Sequence, residues 1–123
     1  MSDTTAKKKF NLEERTSLFA DAIIKFAGQI CETTITKIIV AQLTRSGTSI
    51  GANYCEADDA TSKKDFIYRI GVCKKETRET KYWLRLVPTE NNILVQDRHL
   101  LLQEAKELHL IFCAIIRSGK NNV

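Results

Sequence analysis

The sequence predicts an all-α protein, an antiparallel up-down four-helix bundle, and three observations predict it. Apolar residues recur in alternating steps of four and three across long segments, the seam of a packed helix. The chain has one proline and five glycines in 123 residues, too few for a many-stranded β fold with repeated turns. Turn and cap residues divide the periodic stretches into four, joined by short connections that favour antiparallel neighbours. The boundaries read as about 11–30, 33–57, 62–87 and 95–118, with a basic tail over 1–10 and a second tail over 119–123.

The first segment opens at Asn11, read as an N-cap with Glu14 three residues on. Its stripe is Leu12, Thr16, Phe19, Ile23, Phe26 and Ile30. The second carries Ile35, Ile39, Leu43, Ile50 and Tyr54, flanked by polar Gln42, Ser46, Ser49 and Asn53, while a small face with Ala41, Ser49 and Ala52 is read as pointing to self-association. Serine and glycine inside a helix cost propensity, so a helix that keeps them gains close approach or side-chain hydrogen bonds. The third begins at a Ser62 cap, with a seam of Phe66, Ile70, Cys73, Thr77, Thr80, Leu84 and Val87, and Pro88 ends it. The fourth has Leu101, Ala105, Leu108, Phe112 and Ile115, and Gly119 stands where a C′ glycine belongs.

Placing the second and third segments antiparallel about their short turn puts Arg45 near Glu76 and Gln42 near Glu79. Arg45, Ser49 and Glu56 share one helix face, with Asn53 beside it. These six residues, Arg45, Ser49, Asn53, Glu56, Glu76 and Glu79, are expected as structural polar contacts that set register.

Charge is uneven under a formal net charge of +4. Lys74, Arg78, Lys81 and Arg85 step four, three and four along the third helix, and Lys63 and Lys64 extend the cations towards its start. Like charges at this spacing cost a few tenths of a kcal/mol each. A solvated face and a phosphate-binding face are equally compatible with that pattern; the second is the functional reading. Tyr68, Val72 and Trp83 fall on another face and are read as an oligomer interface, since an outward tryptophan commonly anchors one.

Catalytic patterns are missing. There is no HExxH, P-loop, GxGxxG or GxSxG, and His99 and His109 stand on different faces of one helix without a Glu-x-x-His pair. The expectation is a non-enzyme with no cofactor, no metal and no small-molecule substrate. Four scattered cysteines, Cys31, Cys55, Cys73 and Cys113, with no signal peptide and no bilayer-length apolar run, are read as buried, reduced thiols in a cytoplasmic protein. Disulfides or a zinc site are the competing reading for them.

The stretch Gln42, Leu43, Arg45 through Asn53, Glu56 and Ala57 resembles the signature of a widespread bacterial four-helix-bundle family. So do Ser62, Asp65 and Phe66, and then Lys75, Glu76, Glu79, Thr80, Tyr82, Trp83 and Leu84. Members of that family are encoded in intervening sequences of large-subunit rRNA genes and carry ribosomal-protein-like labels. The accessory variability determinant of diversity-generating retroelements looks like a relative. The resemblance implies a ring-shaped homo-oligomer, with a pentamer favoured. For the retroelement relatives it also implies a basic surface on RNA or DNA and a reverse transcriptase as partner. The expected function is therefore nucleic-acid binding through the third helix. The alternative is a protein-interaction scaffold without nucleic acid.

Overall fold

In the computed structural model, which describes residues 11–121, the chain is four helices: α1 (Leu12–Gly28), α2 (Thr34–Asp58), α3 (Lys63–Leu86) and α4 (Asn92–Asn121). Each packs on its neighbours in sequence, and α1 and α4 close the bundle with the slenderest contact. Neighbours run antiparallel. Gly47 and Gly51 of α2 lie against Ile23 and Thr16 of α1, and Gly119 of α4 lies against Ile67 of α3. Residues 1–10, read as a basic tail, lie outside the described residues, as do 122–123.

The core follows the predicted seams, with Ile30, Ile39, Tyr54, Phe66 and Ile115 only partly buried at its edge. Phe19, Ile23, Leu43, Ile50, Ile70, Cys73, Leu84, Leu108 and Phe112 are buried in one cluster. Thr16, Thr77 and Thr80 sit in the same seams because each hydroxyl donates to the carbonyl four residues back: Leu12 O at 2.7 Å, Cys73 O at 2.7 Å and Glu76 O at 2.8 Å. A threonine satisfied by its own helix can be buried without a desolvation penalty left standing. Among the described residues, every buried side-chain nitrogen and oxygen has a hydrogen-bond partner.

Several helix ends differ from the expectation. Asn11 makes no side-chain cap on α1. At α2 the cap is Thr33, whose hydroxyl accepts from Thr36 N at 3.1 Å while Thr33 N donates to the Thr36 hydroxyl at 2.7 Å. Thr36 thus replaces the usual acidic partner of a capping box. It also donates to Cys31 O at 2.7 Å, which turns Thr36 inward and leaves Ile35, expected in the core, 65 % exposed. Ser62 caps α3 as predicted, accepting from Asp65 N at 3.0 Å.

α4 starts at Asn92 rather than 95, because the Asn91 side chain accepts from Leu94 N at 2.9 Å and Leu94 is buried. The same helix continues through 119–121, which the sequence reads as tail. Gly119 is not a left-handed cap, for no described glycine has positive φ. A Cβ there would stand 2.3 Å from Ile67 Cδ1, so the glycine serves close approach of α4 to α3.

Candidate nucleic-acid interface on the third helix

α3 holds eight cations against three carboxylates. Two of those carboxylates are drawn to one flank. Arg45 Nη1 donates to Glu76 Oε1 at 3.2 Å, and its Nη2 is bonded to Glu79 Oε2. Arg45 Nε donates to Gln42 Oε1 at 3.2 Å, so one guanidinium ties α2 to two turns of α3. Glu79 also accepts from Trp83 Nε1 at 3.0 Å. That bond, with the ion pair to Arg45, holds the Glu79 carboxyl below its ordinary range against the opposing effect of burial. The guanidinium of Arg45 is correspondingly held more firmly protonated, chiefly by its bond to Glu79.

The rest of the predicted polar set is distributed along the same helix pair. Asn53 Oδ1 accepts from Arg69 Nη1 at 3.4 Å, and its Nδ2 donates to Ser49 O at 2.9 Å. The Ser49 hydroxyl donates to Arg45 O at 2.7 Å and so stays within α2. Glu56 lies exposed near the end of α2, eleven residues and about 16 Å along the helix from Arg45. The register pair absent from the predicted set is Ser46 with Thr80, whose hydroxyls lie 3.0 Å apart at zero exposure. Their burial is legible in the seam of α3, but not from α2, where Ser46 sits on the flank read as polar.

With Glu76 and Glu79 committed to Arg45, the row Lys74, Arg78, Lys81 and Arg85 keeps its charge. None of these four forms an ion pair among the described residues. Arg78 and Arg85 are exposed; Lys74 and Lys81 are half-buried, as stems that lie along the protein with their charge at the edge would be. Lys63 and Lys64 are exposed at the start of the helix. The described carboxylates of the other interhelix pair are also committed elsewhere: Arg15 of α1 donates to Glu104 at 2.7 and 2.9 Å and to Glu107 at 2.9 Å, closing α1 on α4.

His109 of α4 belongs to this face although the sequence gives no sign of it. The register set by Ile67 against Gly119 and by Arg98 Nη1 donating to Val87 O at 3.1 Å brings it level with Thr77, one residue from Arg78. Burial, then the field of Lys81, Lys74 and Arg78, pushes its pKa below the ordinary histidine value. Cys113 Sγ lies 3.8 Å from His109 Nδ1.

The predicted interface residues are spread over about four turns of α3. Trp83 is half-buried, packed against the core and bonded to Glu79, with Tyr82 edge-on at 5.0 Å. Its indole N–H thus finds its acceptor within the protomer. Tyr68 is 64 % exposed and Val72 half-buried, both beside Lys74, Lys75 and Arg78. The cysteines separate. Cys73 alone is buried, its thiol pushed up to about 12 mainly by burial; Cys31 and Cys55 are exposed and Cys113 is half-buried. Among the described residues no group of three His, Cys, Asp or Glu is placed to hold a metal ion, and no helix is long and apolar enough to cross a membrane.

A family model described as 23S rRNA-intervening sequence protein matches residues 8–113. The chain belongs to that family. The crystal structure of a protein of unknown function from the S23 ribosomal protein family of Bacteroides thetaiotaomicron is 31% identical. It matches with a TM-score of 0.71 over 85% of this chain and 96% of that one. No curated protein matches the chain. The Arg45–Asn53 stretch lies within α2, and its Ser46, Gly47 and Ile50 are buried in the bundle.

Proposed function

We propose that this protein is a non-catalytic, cytoplasmic, homo-oligomeric bundle that binds RNA or DNA through backbone phosphates on the basic face of α3. One observation carries the reading: Lys74, Arg78, Lys81 and Arg85 stand in line without an ion pair among the described residues, while Glu76 and Glu79 are held by Arg45 on the other flank. Lys63 and Lys64 continue the positive field towards the start of the helix. Phosphate contacts of this kind position a nucleic acid without reading its sequence.

Four neutralised phosphates imply roughly a hundredfold loss of affinity for mixed-sequence duplex DNA between about 50 and about 200 mM salt. Paired charge reversal, Arg78→Glu with Lys81→Glu, removes most of the binding and leaves helicity and melting close to the parent. Affinity that does not change with salt would refute the phosphate reading and leave a protein-interaction scaffold as the alternative.

Self-association is assigned to the outer face of α1 and α2. Leu18 and Ile24 are 62 % and 50 % exposed there, beside the small residues Ala41, Thr48 and Ala52 of α2. Small residues between exposed apolar ones let a second backbone approach closely, and such patches mark interfaces. Mass measurement in solution tests it, with Leu18→Glu and Ile24→Glu together expected to give monomer. The ring of five and the accessory role beside a reverse transcriptase rest on the family resemblance. Co-purification with such an enzyme tests the latter.

A further inference from the structure

The basic face of α3 also contains an apolar depression of about 610 Å³. Ile67, Gly71 and Val72 of α3 and Ile116 of α4 line it, and Lys74, Lys75 and Arg78 stand at its rim. Tyr68 forms one wall with its ring largely in solvent, and the Arg69 guanidinium carbon lies 5.7 Å from the ring centroid. At Gly71 nothing stands within 4 Å of where a Cβ would be, so the depression is open at that point. The sequence assigns Tyr68 and Val72 to one surface and the cations to another; the fold makes them one site.

An exposed aromatic ring beside aliphatic walls offers a stacking surface, and cations at the rim match phosphates on either side of a stacked base. That combination is the recurring platform for single strands, since every base has a π-face and a duplex hides its own. Resting on the phosphate-binding reading above, we propose that this depression seats an unpaired nucleobase against Tyr68, with the flanking phosphates on Lys74, Lys75 and Arg78. The protein then prefers single-stranded nucleic acid to duplex. Charge complementarity selects this occupant: an apolar peptide segment would fill the floor but leave three cations of the rim unmatched.

The test is fluorescence anisotropy with a short labelled strand of mixed sequence, alone and annealed to its complement, at one salt concentration. The single strand should bind about tenfold tighter or better. Tyr68→Ala should weaken single-strand binding by about fivefold to a hundredfold, the range of one lost base–aromatic stack, with duplex binding unchanged. Tyr68→Phe should retain it. Gly71→Leu, which fills the floor in a helix that gains propensity from the change, should weaken single-strand binding in the same selective way.

If neither form of nucleic acid binds, the phosphate reading fails and this inference with it. If both bind equally and neither Tyr68→Ala nor Gly71→Leu matters, this inference alone fails. If Tyr68→Ala separates copies of the chain by mass while single-strand affinity is unmoved, the depression is a contact between copies and the base seat is overturned.

Discussion

Arg45 joins α2 to α3 through two carboxylates, Glu76 and Glu79, which helical spacing already places on the flank away from the cation row. The guanidinium is 45 % exposed and Glu79 32 %, so solvent screens the pair and its worth is modest. Arg45→Ala is therefore expected to cost only about 1 kcal/mol and to lower the melting temperature by about 4 °C. It should also shift the emission of Trp83, the one tryptophan in the chain, because its acceptor Glu79 loses its anchor. Unchanged melting together with unchanged emission would remove Arg45 from this role. Acid should act through the same carboxylate. The folded-state pKa of Glu79 is depressed, so its contribution is present above the ordinary carboxylate range and is lost as pH falls through the depressed value.

At the scale of elements, glycines separate into those the packing needs and those it does not. A Cβ at Gly47 would stand 2.9 Å from Ile23 Cγ2 and 3.2 Å from Ile23 Cβ, and Ile23 is fully buried with no room to withdraw. Overpacking costs about 1 to 3 kcal/mol, against roughly 1 kcal/mol of helix propensity gained. Gly47→Ala is expected to destabilise by about 1 kcal/mol, read by thermal or denaturant unfolding. Gly71→Ala has no such neighbour and is expected to stabilise by up to about 1 kcal/mol. Equal effects of the two would show that α1 and α2 are not held at this close approach. Gly119 illustrates why sequence misreads such residues. A glycine near a helix end is usually a cap, and only the position of Ile67 on another helix reveals that here it is a contact.

Across the whole molecule, charge is sorted by face, and the consequence should be visible in pH dependence. Burial, then Lys81, Lys74 and Arg78, pushes the His109 pKa below the ordinary histidine value. Phosphates bound to those cations would cancel their part of that depression and raise the His109 pKa. Binding then takes up a proton, so affinity for a polyanion should rise a few-fold as pH falls from about 7.5 to about 5.5. His109→Gln should flatten that rise. A profile identical in parent and variant would disconnect His109 from the bound anion. Folding has the opposite sign. The unfolded chain binds the proton that folded His109 resists, so this contribution is complete above the ordinary histidine value and is lost as pH falls below it.

Helix number, seams and approximate boundaries were set by the sequence alone, because a periodicity of 3.6 is a property of one chain segment and its burial. The same holds for the cation row on α3 and for the register of Arg45 with Glu76, which follows from one short turn between two antiparallel helices. What required the tertiary structure is everything that depends on two elements at once. Ile35 yields its core place to Thr36 through a bond to Cys31 O, Gly119 of α4 lies against Ile67 of α3, and the Trp83 indole donates to Glu79. His109 joins the basic face across an interface, and Tyr68 and Val72 share a depression with Lys74, Lys75 and Arg78. Periodicity says which side of a helix is wet; only packing says which neighbours share that side.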